Sequence, residues 1–321
     1  MTSIFYANQI KETVDKIDIT EQLEAGFIAY SRNRVVVPPV GELVFDQPPG
    51  DTHIKYGYIK DDDYFVIKIA SGFYENYKLN LPSSSGLMLL FSQKSGMLES
   101  ILIDEGYLTN VRTAIAGQIV AKYMAPKVVT GIGVFGTGIQ GRMQVKYLKS
   151  VTDCNRVVVW GRENSDFDSY RSEMENLGYE VETTTETGAV TRQCNLIITA
   201  TPSREPLIEA NQIMPGTHIT AMGSDTAEKQ ELDSKILGNA DIVVADSIEQ
   251  CITRGEIHRA LKAGDLDKAD LIELGDVIAK PELGRVSADQ LTVADLTGVA
   301  VQDIQITKAV YQAILAATDQ S

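Results

Sequence analysis

Apolar and polar positions change their period partway along the chain. From Val35 to about Asp104 the apolar residues come in short runs of β type: Val35-Val36-Val37, Ile54 to Ile59, Tyr64 to Ile69, Leu87 to Phe91, and Leu98 to Ile103. Turn formers separate them, among them Pro48-Pro49-Gly50-Asp51 and Gln93-Lys94-Ser95-Gly96. This pattern predicts a mainly antiparallel sheet. Beyond it, Ile115, Ile119 and Tyr123 share one face of a helix expected over Val111 to Met124, with Thr109 as its cap and Pro126 past its end.

Strands then alternate with helices. Arg156 to Trp160, Asn195 to Thr199, His218 to Met222 and Asp241 to Ala245 read as buried strands, and such alternation builds a parallel sheet. The tail from Gly298 returns to helical spacing at Val301, Ile304, Ala309 and Ile314. The expected fold class is α/β: a Rossmann-type doubly wound parallel sheet over residues 120–297, inserted in an α+β, mainly antiparallel domain made of 1–119 and 298–321.

Residues 131–141, GIGVFGTGIQG, hold five glycines in eleven positions. Glycine costs about 0.5–1 kcal/mol relative to alanine inside regular structure, so the cluster implies backbone shapes or approaches that a Cβ would block. Gly136-Thr137-Gly138-Ile139-Gln140-Gly141 fits G-x-G-x-x-G, following the apolar Val134-Phe135 and preceding a helical run. In that register Gly136 makes the turn, Gly138 admits a pyrophosphate, and Gly141 lets helix and strand pack. The helix N-terminus adds unpaired N–H groups and the positive end of its dipole. A dinucleotide is the expected ligand. The next strand ends Trp160-Gly161-Arg162-Glu163-Asn164, with Arg162 where a 2′-phosphate partner belongs and no Asp at Gly161; this favours NADPH, with NADH tolerated.

Composition narrows the class of function. A chain of 321 residues with 44% hydrophobic and 23% charged content suits two soluble domains. Its formal charge of −15 argues against nucleic-acid and anionic-membrane partners. Cys154, Cys194 and Cys251 have no metal or disulfide spacing, and His53, His218 and His258 none for a metal. The N-terminus lacks the apolar core of a signal peptide, so cytoplasmic residence is expected.

On FVIKIASGF, LTNVRTAIAGQIVAKYMAPK, GTGIQG, ITATPS, ITAMGSDTAEKQELD and LTVADLTGVAVQD, the chain resembles the ornithine cyclodeaminase/mu-crystallin family. The resemblance implies a homodimer formed through the antiparallel domain and a small-molecule substrate. It implies that Lys68 faces that substrate, that Arg112 grips its carboxylate, and that Asp225 lies near the reacting nitrogen. Ser83, Thr297 and Gly298 are implied substrate contacts; Thr201, Ser224 and Asp295 are implied cofactor contacts. A planar guanidinium at Arg112 can pair both oxygens of a carboxylate.

Two departures bear on the substrate. Cyclodeaminases of this family carry an acidic partner for a distal ammonium thirteen residues before the lysine, and here that position is Lys55. A cation there repels a second amine, more so at low dielectric. Pro39-Val40 is followed by Gly41-Glu42 where many members have an arginine, leaving the carboxylate to Arg112 and Lys68. The expected activity is NAD(P)H-dependent reduction of a cyclic α-imino acid, Δ1-pyrroline-2-carboxylate to L-proline as in hydroxyproline breakdown, or its six-membered homologue to L-pipecolate. Ornithine cyclodeamination, an amino-acid dehydrogenase such as alanine dehydrogenase, and a non-catalytic NADPH-containing protein of crystallin type are the alternatives.

Overall fold

In the first third of the chain, pairing and burial turn short apolar runs into strands longer than the runs themselves. The computed structural model describes residues 2–73, 75–163 and 165–318. Asn164, the last residue of the strand end read above, lies outside them, as do Tyr74 and Asp319-Gln320-Ser321. Contacts divide the chain into two units, residues 1–112 with 299–321, and residues 113–298. The division falls inside a helix, at Arg112/Thr113, seven residues before the expected 119/120.

The first unit begins with β1 (Ser3–Tyr6), α1 (Ala7–Val14) and α2 (Thr20–Ser31). It continues with β2 (Val35–Val36), β3 (Gly41–Phe45), β4 (Gly50–Ile59), β5 (Tyr64–Phe73), β6 (Ser84–Ser92) and β7 (Leu98–Ile103), before α3 (Tyr107–Met124). The sheet runs β1-β7-β6-β5-β4-β2, with β3 also on β4. All its pairs are antiparallel except β1 with β7. Two of its strands escape sequence reading. β1 is four residues long and is stabilised by parallel pairing of Ile4 with Ile101; β3 pairs only with β4 and leaves Leu43, Val44 and Phe45 exposed, so no buried face marks it.

The expected cap of α3 is corrected. Thr109 lies within the helix, which starts at Tyr107. Buried Asp104 acts as the acceptor instead, its Oδ2 taking the Leu108 N–H at 2.7 Å. A capping carboxylate satisfies one of the four orphan donors of a helix start.

In the second unit come β8 (Ile132–Phe135), α4 (Ile139–Leu148), β9 (Arg156–Trp160), α5 (Phe167–Asn176), β10 (Glu180–Thr184), α6 (Thr187–Gln193), β11 (Leu196–Thr199) and β12 (His218–Ala221). α7 (Ser234–Gly238), β13 (Ile242–Ala245), α8 (Ile248–Cys251), α9 (Gly255–Ala263), β14 (Leu271–Glu273), α10 (Leu274–Ala279) and β15 (Thr292–Asp295) complete it. The eight strands run β10-β9-β8-β11-β12-β15-β13-β14, every pair parallel. Fully buried strands such as Ile132–Phe135 and Leu196–Thr199 read as continuous apolar runs because helices cover both faces. Strand order reverses between β8 and β11, and ligands of open α/β sheets bind at the carboxyl ends beside such a switch point.

The last helix, α11 (Ala300–Thr318), belongs to the first unit. It packs on α2 and on β4, β5 and β6. The fit to α2 is close: a Cβ on Gly26 would stand 2.8 Å from the Gln305 side chain.

Replacing the Asp104 acceptor gives a direct check of this cap. Asp104→Ala lowers unfolding free energy by about 0.5–2 kcal/mol, and Asp104→Asn, which keeps an acceptor oxygen, by clearly less. Denaturant titration reads both values; equal losses contradict the capping role.

Candidate active site and dinucleotide cleft

Alternation along β5 puts Val66 and Lys68 on its buried face, and the same alternation on β4 buries Lys55, Gly57 and Ile59. Lys55 and Lys68 are directly opposed across the strand pair. A lysine at such a position must find a counter-charge, since an isolated buried ammonium costs far more than the fold can spare. Asp303, in the first turn of α11, supplies it: Lys68 Nζ lies 3.0 Å from each of its carboxylate oxygens.

Arg112, from α3, joins the same carboxylate, with Nε 3.2 Å from Oδ1, and its Nη1 donates to Gln302 Oε1 at 3.3 Å. Lys68, Arg112 and Asp303 are 2%, 6% and 1% exposed. Burial, with Arg112 and Lys55 acting the same way, brings the Lys68 ammonium down to about 7, while Asp303 opposes that shift. At Asp303 burial pushes upward, but the charges of Lys68, Arg112 and Lys55 outweigh it and hold the carboxyl below the usual range. The pair is therefore ionic near neutrality, with a lysine that can release its proton there.

Sequence reading missed Asp303 and Gln302, although both stand in the quoted run VAVQD. The available signal was a carboxylate set between Val301 and Ile304 on the apolar face of the terminal helix. Ser83, the other expected contact of this unit, is placed apart. It is on an exposed bend ahead of β6, where its carbonyl accepts the Phe73 N–H at 2.8 Å.

In the second unit the glycines each do a different job. Gly136 has φ 113°, and a Cβ there would lie 2.8 Å from the Ala200 carbonyl oxygen. A Cβ on Gly141 would collide with the Gly136 carbonyl oxygen. A Cβ on Gly138 would meet nothing within 4 Å, and this residue is the N-cap of α4 with no side chain closing the helix end. The cleft it borders has a volume of about 310 Å³ and is lined by Gly136, Thr137, Gly138, Trp160, Gly161, Arg162, Ser165 and the stretch from Ala200 to Ser203, with Leu207. Bare main chain, an open helix start and a concave wall are what a pyrophosphate needs, so the residues present fit a dinucleotide.

Of the other expected cofactor contacts, Thr137 and Thr201 line this cleft and Arg162 stands at its rim. Ile139 is exposed at the helix start, and the Gln140 side chain accepts from Gln144 at 3.3 Å. Ser224 is fully buried and donates to the Lys229 carbonyl at 2.9 Å. Asp295 is also fully buried, its Oδ2 accepting the Ile257 N–H at 2.8 Å in the first turn of α9. Thr297 accepts from Gln250 at 2.8 Å, and the Gly298 N–H donates to Asp246 at 2.6 Å. Asp225 is half-buried after β12 and pairs with Lys229 at 2.6 Å.

One group that sequence reading passed over fixes the wall of the cleft. The buried Glu231 carboxylate accepts the Thr201 N–H at 2.7 Å and the Gly223 N–H at 3.0 Å, joining the loops after β11 and β12. Burial raises it to about 7 against the pull of those donors. Glu256 accepts the Glu231 N–H at 2.7 Å and is raised to about 8 by burial and by the Glu231 charge. His218, buried between Thr292 and Thr220, is driven to about 3 by burial and by Arg285, and so stays neutral.

A doubly wound sheet with a glycine-lined cleft defines a dinucleotide-binding α/β protein. Comparison with known proteins carries this to a family: residues 2–318 match the model of the ornithine cyclodeaminase/mu-crystallin family, and the chain belongs to it. It is 37% identical over 286 residues, 88% of this chain and 87% of the other, to a provisionally named dehydrogenase of Rhizobium meliloti (strain 1021). It is 30% identical over 294 residues, 91% of this chain and 90% of the other, to the iminosuccinate reductase of Paracoccus denitrificans (strain Pd 1222). Among solved structures, the Δ1-pyrroline-2-carboxylate reductase of Thermococcus litoralis, in complex with NADH and L-proline, superposes with a TM-score of 0.91 at 25% identity, covering 99% of this chain and 98% of that one.

The open backbone at Gly138 yields a test independent of any reaction. Gly138→Ala meets no neighbour and leaves the melting temperature within about 2 °C, but raises the Kd for NADH at least about tenfold, which is about 1.4 kcal/mol. An unchanged Kd by fluorescence titration removes Gly138 from the binding surface.

Proposed function

We propose that this protein is an NAD(P)H-dependent oxidoreductase that reduces the C=N bond of an α-imino acid to the corresponding α-amino acid. The observation that carries the reading is the buried Lys68–Asp303–Arg112 cluster. A nicotinamide held by the glycine-lined cleft would supply the hydride. Arg112 takes the substrate carboxylate, for which its planar fork is suited. Lys68, poised at about 7, gives a proton to the imine nitrogen near neutral pH. Asp303 holds the ammonium in place and is left balanced by Arg112 when that proton leaves. Asp225 is assigned to the electrostatic support of the iminium nitrogen.

Cyclic imines such as Δ1-pyrroline-2-carboxylate and its six-membered homologue fall in this class, as do the open-chain imines that ammonia forms with 2-oxo acids. Ornithine is disfavoured by Lys55, which is 7% exposed and opposed to Lys68, where a distal ammonium would meet a like charge. Arg162 and Ser165, both on the cleft wall, are assigned to a ribose 2′-phosphate, which supports NADPH as the preferred cofactor with NADH accepted. Exposed Leu43, Val44, Tyr56 and Tyr58 on β3 and β4 support a homodimer that covers this sheet edge.

Lys68→Ala lowers kcat for imine reduction by about 10²–10⁴-fold, the usual worth of positioned proton transfer. Because the donor is protonated below about 7 and deprotonated above it, kcat falls through an alkaline limb near that pH. Asp303 raises the lysine's proton affinity, so Asp303→Asn moves the limb to lower pH; a limb that stays put or moves up contradicts the role of Lys68. Arg162→Ala raises the Kd for NADPH by more than about tenfold relative to NADH, as expected for one charge-assisted contact of about 1.5–3 kcal/mol. Parallel loss of both cofactors would assign Arg162 a different role.

A further inference from the structure

Two strand-end loops of the parallel unit close on the Glu231 segment, and the first of them forms a wall of the dinucleotide cleft. The Glu231 carboxylate accepts the Thr201 N–H through Oε1 and the Gly223 N–H through Oε2. Its main-chain carbonyl accepts the Leu207 N–H at 2.7 Å, and the preceding Gln230 N–H donates to the Ser203 carbonyl at 2.9 Å. Thr201, Ser203 and Leu207 all line the cleft.

The clasp reaches the phosphate-binding turn itself. A Cβ on Gly136 would lie 2.8 Å from the Ala200 carbonyl oxygen and 3.1 Å from Thr201 Cγ2, so the glycine turn rests on the residue whose N–H Glu231 holds. On the far side, a Cβ on Gly223 would collide with main-chain atoms of Thr201 and with Glu231 Oε2, so a bare backbone there lets the two loops touch. Close-packed interiors transmit such displacements. Movement at Glu231 therefore moves the floor on which a pyrophosphate would sit.

Only an ionised carboxylate serves both donors fully. It accepts on both oxygens, whereas a protonated carboxyl turns one oxygen into a donor that faces an N–H, and hydrogen bonds to an ionised acceptor are about twice as strong. Glu231 is completely buried. Glu256 of α9 faces it, accepting the Glu231 N–H at 2.7 Å and the Leu232 N–H at 3.3 Å, and buried Asp295 at the end of β15 feels the charges of Glu256 and Asp246. The basic residues around this segment are engaged with other groups. Lys229 pairs with Asp225 at 2.6 Å, while Arg254 and Arg259 donate to the main-chain carbonyls of Asp225, Glu228 and Lys229.

We infer that Glu231 is a positioning residue for the nicotinamide dinucleotide: its ionised carboxylate holds Thr201 and Gly223 where the glycine turn accepts the pyrophosphate, and the dinucleotide binds to that form. Glu231 acts here on the cofactor alone, whichever C=N compound the enzyme reduces.

Calorimetric titration with oxidised NAD, from about pH 5.5 to about pH 8.5, brackets the carboxyl that burial raises to about 7. NAD is used without a 2′-phosphate because a phosphate monoester itself titrates near about 6. Affinity is full above about 7 and falls as pH drops through that value, by at least about tenfold at the acid end, which is about 1.4 kcal/mol. Glu231→Gln, isosteric with the protonated carboxyl, binds at least about tenfold more weakly than wild type at the alkaline end and has no acid limb. Glu256 is raised to about 8 and is already protonated where Glu231 titrates, so Glu256→Gln leaves the limb in place. In the nucleotide-free protein, amide hydrogen exchange at Thr201 and Gly223 is faster in Glu231→Gln than in wild type at the same pH. Should Glu231→Gln not fold, the wild-type limb and Glu256→Gln decide. A wild-type Kd constant across the range, an acid limb that survives Glu231→Gln or is abolished by Glu256→Gln, or unchanged affinity in Glu231→Gln overturns the role. Absence of NAD and NADH binding at every pH overturns it together with the dinucleotide cleft.

Discussion

Burial of Lys68 against Asp303 is the constraint around which the antiparallel unit is organised. The two residues are 235 positions apart and meet at 3.0 Å, so the central strand and the terminal helix must be in register before either charge is tolerable. Breaking such a pair by removing one partner costs about 3–5 kcal/mol, whereas replacing both with apolar groups is often neutral or better. Stability alone therefore gives no reason to keep it. The proposed chemistry does: burial lowers a lysine to about 7, the nearby carboxylate keeps it from falling further, and the result is an ammonium able to give up its proton near neutral pH.

The parallel unit solves a different problem, that of presenting main chain to a phosphate. Gly136 supplies the positive φ, Gly141 the close packing, and Gly138 the open surface. These glycines shape the floor, while a carboxylate shapes the wall. Glu231 draws two backbone N–H groups from separate strand ends onto one buried side chain, and Glu256 in turn fixes the backbone of Glu231. Burial raises both carboxyls, and the charge of Glu231 raises Glu256 further.

Much of this was legible in the sequence where the signal was local. The change from β-type alternation to strand–helix alternation gave the two architectures, and the spacing of Gly136, Gly138 and Gly141 located the cleft. Lys68 and Arg112 were singled out, and the structure brings them together on one carboxylate. Long-range partners were not legible. The place of Asp303 between Val301 and Ile304 on the apolar face of the terminal helix signals a buried carboxylate but not which distant cation it meets, and Glu231 looks like an ordinary residue of a charged loop. β1 and β3 were missed because each depends on a partner strand for its stability. Thr109 was read as a cap because threonine suits that role, yet the helix starts at Tyr107, four residues before the expected Val111, and Asp104 does the capping.

Heteronuclear NMR with lysine side chains labelled at Nζ follows the Lys68 ammonium directly, assigned by loss of its signal in Lys68→Met. The account predicts titration near 7 in the ligand-free protein, about where burial and Asp303 together place it, and a rise in that value when a carboxylate ligand adds negative charge beside it. A midpoint near the ordinary lysine value of 10.5, unmoved by ligand, would contradict it.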